Sequence, residues 1–379
     1  MAKYEEINGF ARKINAALEW AKRGFDLNFF IYRAKWGFVA KYDHVTPFPL
    51  HLDIEVTEAC NLRCIMCVHG TTGVPITGRM DMSFAKSTID QAAAGGTKSI
   101  KFNWRGEPAL HTGLEDLVAY AKKKGILEVQ INTNGIPYTQ KRIEKLIDAG
   151  LDRIIFSMDG ATKETYEKVR VGSDYDRLTA NIRKFHEVRE AKGRVKPFIR
   201  IQMVRMKENQ AEVDRFLEMW KEIADDIAVK DVSDRGQGNA FYSGDQIAVG
   251  RKRCNQPWQR MIVARDGKVF PCCSDWERTY TIGDATKVPL KDIWKGERME
   301  TLRDWNRSGR LDEFDPCKGC FVMTSYEWRK MSPTELAERE RLAKESESAP
   351  GRFIRADVDH HEHHADKAEE QRRHDATAI

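Results

Sequence analysis

Three cysteines within eight residues set the strongest limit on what this chain can become. Cys60, Cys64 and Cys67 are spaced C-x3-C-x2-C inside Glu58-Ala59-Cys60-Asn61-Leu62-Arg63-Cys64-Ile65-Met66-Cys67. They follow Leu50-His51-Leu52-Asp53-Ile54-Glu55-Val56, an apolar run that reads as a buried strand. The thiols therefore stand on the loop leaving the C-terminal end of that strand. Thiolates are the usual ligands of iron–sulfur clusters, and a [4Fe–4S] cube takes four. Three close thiols hold three corners and leave one iron open to a small molecule that binds through its amine and carboxylate. A zinc ion with His69 as fourth ligand is the competing reading. A disulfide frame is disfavoured, because nothing in the chain points to an oxidising compartment.

The remaining composition narrows the class. A length of 379 residues suggests two domains, or one large α/β domain with an appendage. Lys+Arg of 63 against Asp+Glu of 58 leaves +5, too mild for the concentrated basic face of a nucleic-acid binder. No apolar run reaches the length of about 18 residues that a membrane span needs, and Met1-Ala2-Lys3-Tyr4-Glu5-Glu6 lacks a signal-peptide core. The expected location is cytoplasmic, where eight cysteines point to metal or redox chemistry.

Residues 1–48 carry 11 of the 36 aromatic residues, among them Trp20, Phe25, Phe29, Phe30, Trp36 and Phe38. Ile14, Ala17, Leu18, Ala21 and Phe25 fall at helical spacing. Two readings stand: a helical extension packing its aromatics on the main domain, or an interfacial segment docking on a membrane or a partner. Beyond it, strand-like runs near 50–56, 97–103, 127–132, 152–157, 198–204 and 226–231 alternate with helical patterns at 83–94, 113–124, 139–149, 177–191 and 209–223. Such alternation implies parallel βαβ units, and in parallel barrels chemistry gathers at the C-terminal strand ends.

The thiol spacing, with Asn-Leu-Arg inside it, resembles the radical S-adenosylmethionine (SAM) superfamily. The resemblance implies an α/β fold, a partial (β/α)6 TIM-like barrel over residues 49–235. It implies a SAM-binding [4Fe–4S] cluster on Cys60, Cys64 and Cys67 that, once reduced, cleaves SAM to a 5′-deoxyadenosyl radical. Trp104-Arg105-Gly106-Glu107-Pro108 resembles the family's Gly-Gly-Glu-Pro motif, with Arg105 in place of the first glycine. SAM contacts are implied for Gly106 and Glu107, for Asn134 in Asn132-Thr133-Asn134-Gly135, and for Ser157 and Asp159 in Ser157-Met158-Asp159-Gly160. Plain turn chemistry is the alternative for these Asn-Gly and Asp-Gly pairs. Alternation puts Arg200 and Gln202 on one face of their strand. Arg200 either faces the lumen and binds SAM's carboxylate or an anionic substrate group, or faces the helices and pairs with an acid.

Residues 233–250, with four glycines, read as a flexible connector. After it come Cys254, Cys272, Cys273, Cys317 and Cys320. Gly267 reads as the turn of a hairpin between Gln259–Ala264 and Val269–Pro271. Residues 252–330 resemble the SPASM and twitch cluster-binding domains. That resemblance implies an auxiliary [4Fe–4S] cluster on Cys254, Cys272, Cys317 and Cys320, with a zinc site as the alternative. Cys273 is left as an inert thiol or a hydrogen-atom donor to a substrate radical. Residues 333–379, with five histidines, resemble a disordered tail.

The expectation for function is a radical SAM oxidoreductase. It uses two [4Fe–4S] clusters and SAM, takes a hydrogen atom from a sugar- or cyclitol-like small molecule, and passes an electron to the auxiliary cluster. Its partners are the substrate (small molecule or peptide) and an electron donor such as flavodoxin or ferredoxin, with no nucleic acid. Peptide modification, epimerisation and a non-catalytic electron carrier are the alternatives.

Overall fold

Six runs of the sequence become six parallel neighbours in one sheet. The structure is a computed structural model and describes residues 26–67, 78–232, 246–251, 253–314, 317–318, 320 and 324–328. The parallel strands are β1 (His51–Ile54), β3 (Ser99–Lys101), β4 (Glu128–Thr133), β5 (Arg153–Ser157), β7 (Phe198–Arg205) and β8 (Asp226–Asp231), in that spatial order. Helices α2 (Met82–Gly95), α3 (Leu114–Lys123), α4 (Gln140–Asp148), α6 (Tyr175–Ala191) and α7 (Val213–Trp220) connect them. Helix α5 (Lys163–Val169) and the two-residue β6 (Arg170–Val171), both between β5 and α6, had no sequence signal. β6 pairs antiparallel with β2 (Arg63–Cys64), inside the thiol loop.

The alternation within each strand sorts the two sheet faces. Leu52, Ile54, Ile100, Val129, Ile131, Ile154, Phe156, Ile199 and Ile201 belong to one buried cluster with Ile89, Leu117, Ile143 and Phe185 of the helices. The opposite, inner face is polar, and the strand registers align it in rows. Asp53, Lys101, Gln130 and Arg153 form one row. Asn132, Ile155, Arg200 and Asp226 form another, one step nearer the C-terminal strand ends. Asp53, fully buried, is met by Lys101 at 2.7 Å and Arg260 at 3.3 Å. A buried carboxylate is tolerable only with such partners.

Helix α1 (Leu27–Lys41) accounts for part of the aromatic N-terminal segment. Its Asp26 N-cap accepts from Phe29 N at 3.0 Å. Phe29, Tyr32 and Val39 pack on Leu50 and Trp258, and Trp36 stands edge-on to His51 at 6.1 Å. The helix thus closes the N-terminal end of β1, and each fully buried aromatic there stabilises by roughly 1.5–3 kcal/mol. Leu27, Phe30, Ile31, Phe38 and Tyr42 remain exposed. Trp20, Phe25 and the helical spacing at 14–25 lie outside the described residues, as do the tail at 333–379 and most of the 233–250 connector.

The C-terminal region is joined to the barrel sheet. The hairpin of β10 (Arg260–Val263) and β11 (Lys268–Phe270) forms as read, turning at Gly267 with φ of 84°. β10, however, pairs parallel with β1 and extends the barrel sheet, and β12 (Gly283–Asp284) follows β11 at the edge. One correction concerns residues 246–250, read as connector. They belong to strand β9 (Gln246–Arg251), paired antiparallel with β13 (Thr324–Trp328). Helices α8 (Gln256–Gln259), α9 (Leu290–Trp294) and α10 (Glu297–Arg307) complete the region.

Candidate active site

The thiol loop leaves β1 and is fastened from the side. Cys64 lies opposite Arg170 in the β2–β6 ladder, and Ile65 N donates to Val169 O at 3.0 Å. Cys67 N donates to Cys64 O at 3.0 Å, which turns the loop back on itself. Cys64 is buried while Cys60 and Cys67 are half-buried; none of the three is in a disulfide, and they lie within electrostatic reach of one another. Burial pushes the Cys60 thiol up to about 12, with Glu107, Cys64 and Cys67 adding to it. Burial pushes Cys64 up to about 11, against the pull of Arg170. A metal bound here therefore displaces protons from these two thiols.

Gly106 fastens the loop from above. A side chain there would place its Cβ 2.4 Å from Thr57 O and 2.6 Å from Ala59 O. Only glycine allows this approach, and Glu107 N donates to Ala59 O at 2.8 Å across the same contact. Gly106 thus makes its close approach to the chain's own thiol loop. The Glu107 carboxylate accepts from Thr133 Oγ1 at 2.6 Å, Asn134 N at 2.6 Å and Ala109 N at 3.0 Å. Burial pushes its pKa up, against those three donors. Glu107 therefore fixes the turn after β4. In that turn Asn134 Nδ2 donates to Asn61 Oδ1 at 2.9 Å, tying the third strand end to the thiol loop.

Ser157 ends β5 half-buried, and its hydroxyl has no protein partner among the described residues. Two neighbours behave differently from the expectation. Asp159 is fully buried and pairs with Arg170 at 2.7 Å while accepting from Val204 N at 2.6 Å. Its carboxylate is spent inside the protein, not presented to a ligand. Arg200 does stand on the inner face, since its neighbours Ile199 and Ile201 face the helices, but it is ion-paired with Asp226 on β8. Its charge is already met, so a role in holding a carboxylate loses its basis.

Sequence reasoning missed a charged latch above the loop. Arg105, the residue in place of a glycine, donates to Glu55 at 2.8 Å and pairs with Glu58, and it stacks on Trp104 at 4.6 Å. Glu58 is also met by Arg265 at 2.5 Å and Arg278 at 3.2 Å. The latch binds the thiol loop to the β10–β11 hairpin. The partners lie some 200 positions apart, so no local pattern exposes them.

The second thiol set gathers beyond that hairpin. Cys272 is within electrostatic reach of Cys254, Cys273 and Cys317, and Cys254 is within reach of Cys320 and Cys273. Asn306 grips the Cys254 backbone, and Cys320 N donates to Cys317 O at 3.0 Å in the C-x2-C turn. Cys254, Cys317 and Cys320 pack against the main core, whereas Cys273 packs with Ile262, Ala264, Phe270 and Trp104. Trp104 Nε1 also donates to Cys273 O at 3.3 Å. Burial pushes Cys254 up to about 12 and Cys272 well above the usual thiol value.

Both sets carry the donor chemistry of iron–sulfur clusters, which are ligated by thiolates. Among the described residues no three His, Cys, Asp or Glu side chains converge closely enough to hold a single metal ion. A zinc ion needs its donors at about 2.0–2.3 Å from one centre, whereas a cluster takes one thiolate per iron. Beside Cys64, the Arg170 Nε is buried without an acceptor among the described residues. His69, the alternative zinc ligand, lies outside the described residues. Among those residues no helix is long and apolar enough to cross a membrane.

Comparison with known proteins agrees with this geometry. Residues 54–219 match the model of the radical SAM superfamily, and residues 254–321 match that of an iron–sulfur cluster-binding domain named SPASM. The chain is 27% identical over 297 residues to a tungsten-containing aldehyde ferredoxin oxidoreductase cofactor-modifying protein of Pyrococcus furiosus, covering 67% of this chain and 83% of the relative. It is 23% identical over 272 residues to an S-adenosyl-L-methionine-dependent 2-deoxy-scyllo-inosamine dehydrogenase of Niallia circulans, covering 71% and 91%. In fold it is similar to Streptococcus suis SuiB bound to S-adenosylmethionine, with TM-score 0.57 and 17% identity over 75% of this chain and 74% of that one.

Proposed function

The chain belongs to the radical SAM superfamily and carries a SPASM iron–sulfur cluster-binding domain, and from that premise we propose that it oxidises a small polyhydroxylated substrate of the aminocyclitol kind. The family implies SAM and a [4Fe–4S] cluster, and the SPASM domain adds a further iron–sulfur cluster. We propose [4Fe–4S] clusters on Cys60, Cys64 and Cys67 and on Cys254, Cys272, Cys317 and Cys320. When bound, these cofactors supply a 5′-deoxyadenosyl radical that takes a hydrogen atom from a substrate carbon, and a site for the electron the substrate then gives up.

The chain's own residues do the positioning. Gly106 and Glu107 hold the second strand-end loop on the thiol loop. Asn134 fixes Asn61, and the Ser157 hydroxyl is available to SAM. On the inner face the Asn132 Oδ1, buried without a hydrogen-bond partner among the described residues, gives a hydroxylated substrate an acceptor. The observation that carries the oxidative reading is the second thiol set. Four thiols on one cluster leave no iron open to substrate, which favours electron transfer over ligation. A relative named as a dehydrogenase of an aminocyclitol, matched over 91% of its length, supports the same reading. Cys273 is the residue that would return a hydrogen atom in an epimerisation. The electron donor would be a flavodoxin or ferredoxin. Docking of residues 1–48 on a membrane is no part of the proposal.

Peptide modification is the second reading, because SuiB, whose fold this chain shares, was also solved with its precursor peptide SuiA. The two separate in one experiment. Reduced holoenzyme with SAM is offered 2-deoxy-scyllo-inosamine and related amino-polyols, or short peptides, and 5′-deoxyadenosine is counted against product. Ketone and 5′-deoxyadenosine in equal amounts support the oxidation; stimulation by peptides alone contradicts it.

A further inference from the structure

A buried guanidinium touches one of the three thiols of the SAM-cluster site. Arg170 Nη1 donates to Cys64 Sγ at 3.7 Å, and its Nη2 lies 2.7 Å from Asp159 Oδ2. Cys64, Arg170 and Asp159 are only 7%, 9% and 0% exposed. Each member is held by backbone. The β2–β6 ladder sets Arg170 opposite Cys64. Asp159 accepts from Val204 N at 2.6 Å, and its own carbonyl accepts from Asn209 Nδ2 at 3.1 Å. A guanidinium does not lose its proton in proteins, and the Asp159 carboxylate pairs with it, so Arg170 stays charged although buried. The result is a fixed ion pair with its positive end on a cluster-ligand sulfur and its negative end one side chain further away.

Hydrogen bonds to ligating sulfurs and the charge beside them are the protein's main means of setting a cluster's reduction potential. Reduction adds one electron to the cluster, so a positive neighbour stabilises the reduced form. Burial keeps solvent from screening the effect. We propose that Arg170 is a positioning residue that raises the midpoint potential of the cluster on Cys60, Cys64 and Cys67, with Asp159 as the counter-charge that limits how far it is raised. The inference rests on the cluster assignment made above. It assigns Arg170 to the cluster ligands and removes Asp159 from the SAM contacts.

The two partners give opposite signs, which a purely structural clamp would not. Holoenzyme is prepared anaerobically as wild type, Arg170→Met and Asp159→Asn. Iron content is measured, and the reduced cluster is followed by EPR against applied potential. The signal altered by added SAM identifies the first cluster against the second. The expected result is full iron content with the Arg170→Met midpoint shifted to more negative potential and the Asp159→Asn midpoint shifted to less negative potential. SAM cleavage by Arg170→Met should fall more with a flavodoxin donor than with titanium(III) citrate. An unmoved midpoint in Arg170→Met, shifts of the same sign in both variants, or loss of the cluster from both would overturn the inference. Wild-type protein with no SAM-responsive cluster would instead overturn the cluster assignment.

Discussion

Asn306 holds Cys254 by both backbone groups: its Oδ1 accepts from Cys254 N at 3.2 Å and its Nδ2 donates to Cys254 O at 2.6 Å. Asn306 is buried on α10, which is itself packed on the sheet through Met299 and Leu302. A helix in the core thereby fixes a thiol that precedes β10. Replacing Asn306 with Ala leaves two backbone groups unsatisfied at a cost of about 1–3 kcal/mol each. The expected outcome is selective loss of the second cluster, with iron falling to about half and SAM cleavage retained. Iron analysis with an uncoupled SAM-cleavage assay checks it.

The Gly106 contact predicts a larger local effect. Gly106→Ala puts a methyl group against the backbone of Thr57 and Ala59, which cannot swing away as a side chain would. Overpacking of this kind costs about 1–3 kcal/mol or more. The thiol loop should shift, giving weaker SAM binding by calorimetry and a lower unfolding midpoint. Wild-type SAM affinity in this variant would show that the loop does not rest on Gly106.

His51 gives a pH dependence. Burial pushes its pKa below the usual value, against the attraction of Asp53, and its Nδ1 lies 3.0 Å from Ser99 Oγ. A base whose folded pKa is depressed binds its proton more readily when unfolded. Stability is therefore full above the unfolded value of about 6.5 and declines as pH falls from there toward the folded pKa. The slope is at most about 1.4 kcal/mol per pH unit for this one proton. Denaturation at pH 7.5 and 5.5 should show a larger loss in wild type than in His51→Gln; equal losses would assign the slope to other groups.

Much of this architecture is legible in the sequence, and the failures have physical causes. The six strands and their helices follow from alternation and helical period, since each strand carries one apolar face toward the helices. Helix α5 and strand β6 were missed because seven mostly polar residues and a two-residue strand carry no period. With them went Arg170, the residue facing Cys64. Gly244 and Gly250 made 233–250 read as connector, yet β9 is stabilised by pairing with β13 some 75 positions on, a long-range contact that outweighs local propensity. Arg105 appeared as a departure from a motif. In the fold it replaces a small residue with one end of the Glu55–Glu58–Arg265–Arg278 latch.

The two thiol sets also make separable predictions. Replacing Cys60, Cys64 and Cys67 together with Ala should abolish SAM cleavage and leave roughly half the iron. Replacing Cys273 with Ala should leave both clusters in place. Loss of the second cluster from that variant would make Cys273, and not Cys272, its ligand.

The central claim is that the loop after β1 binds a cluster that cleaves SAM. The most direct test adds SAM and a strong reductant to anaerobically reconstituted protein and follows 5′-deoxyadenosine and methionine by mass spectrometry. The account predicts both products in equal amounts, absent from the variant lacking Cys60, Cys64 and Cys67. Iron bound at that loop with no SAM cleavage under any reductant would contradict it and leave an electron carrier in its place.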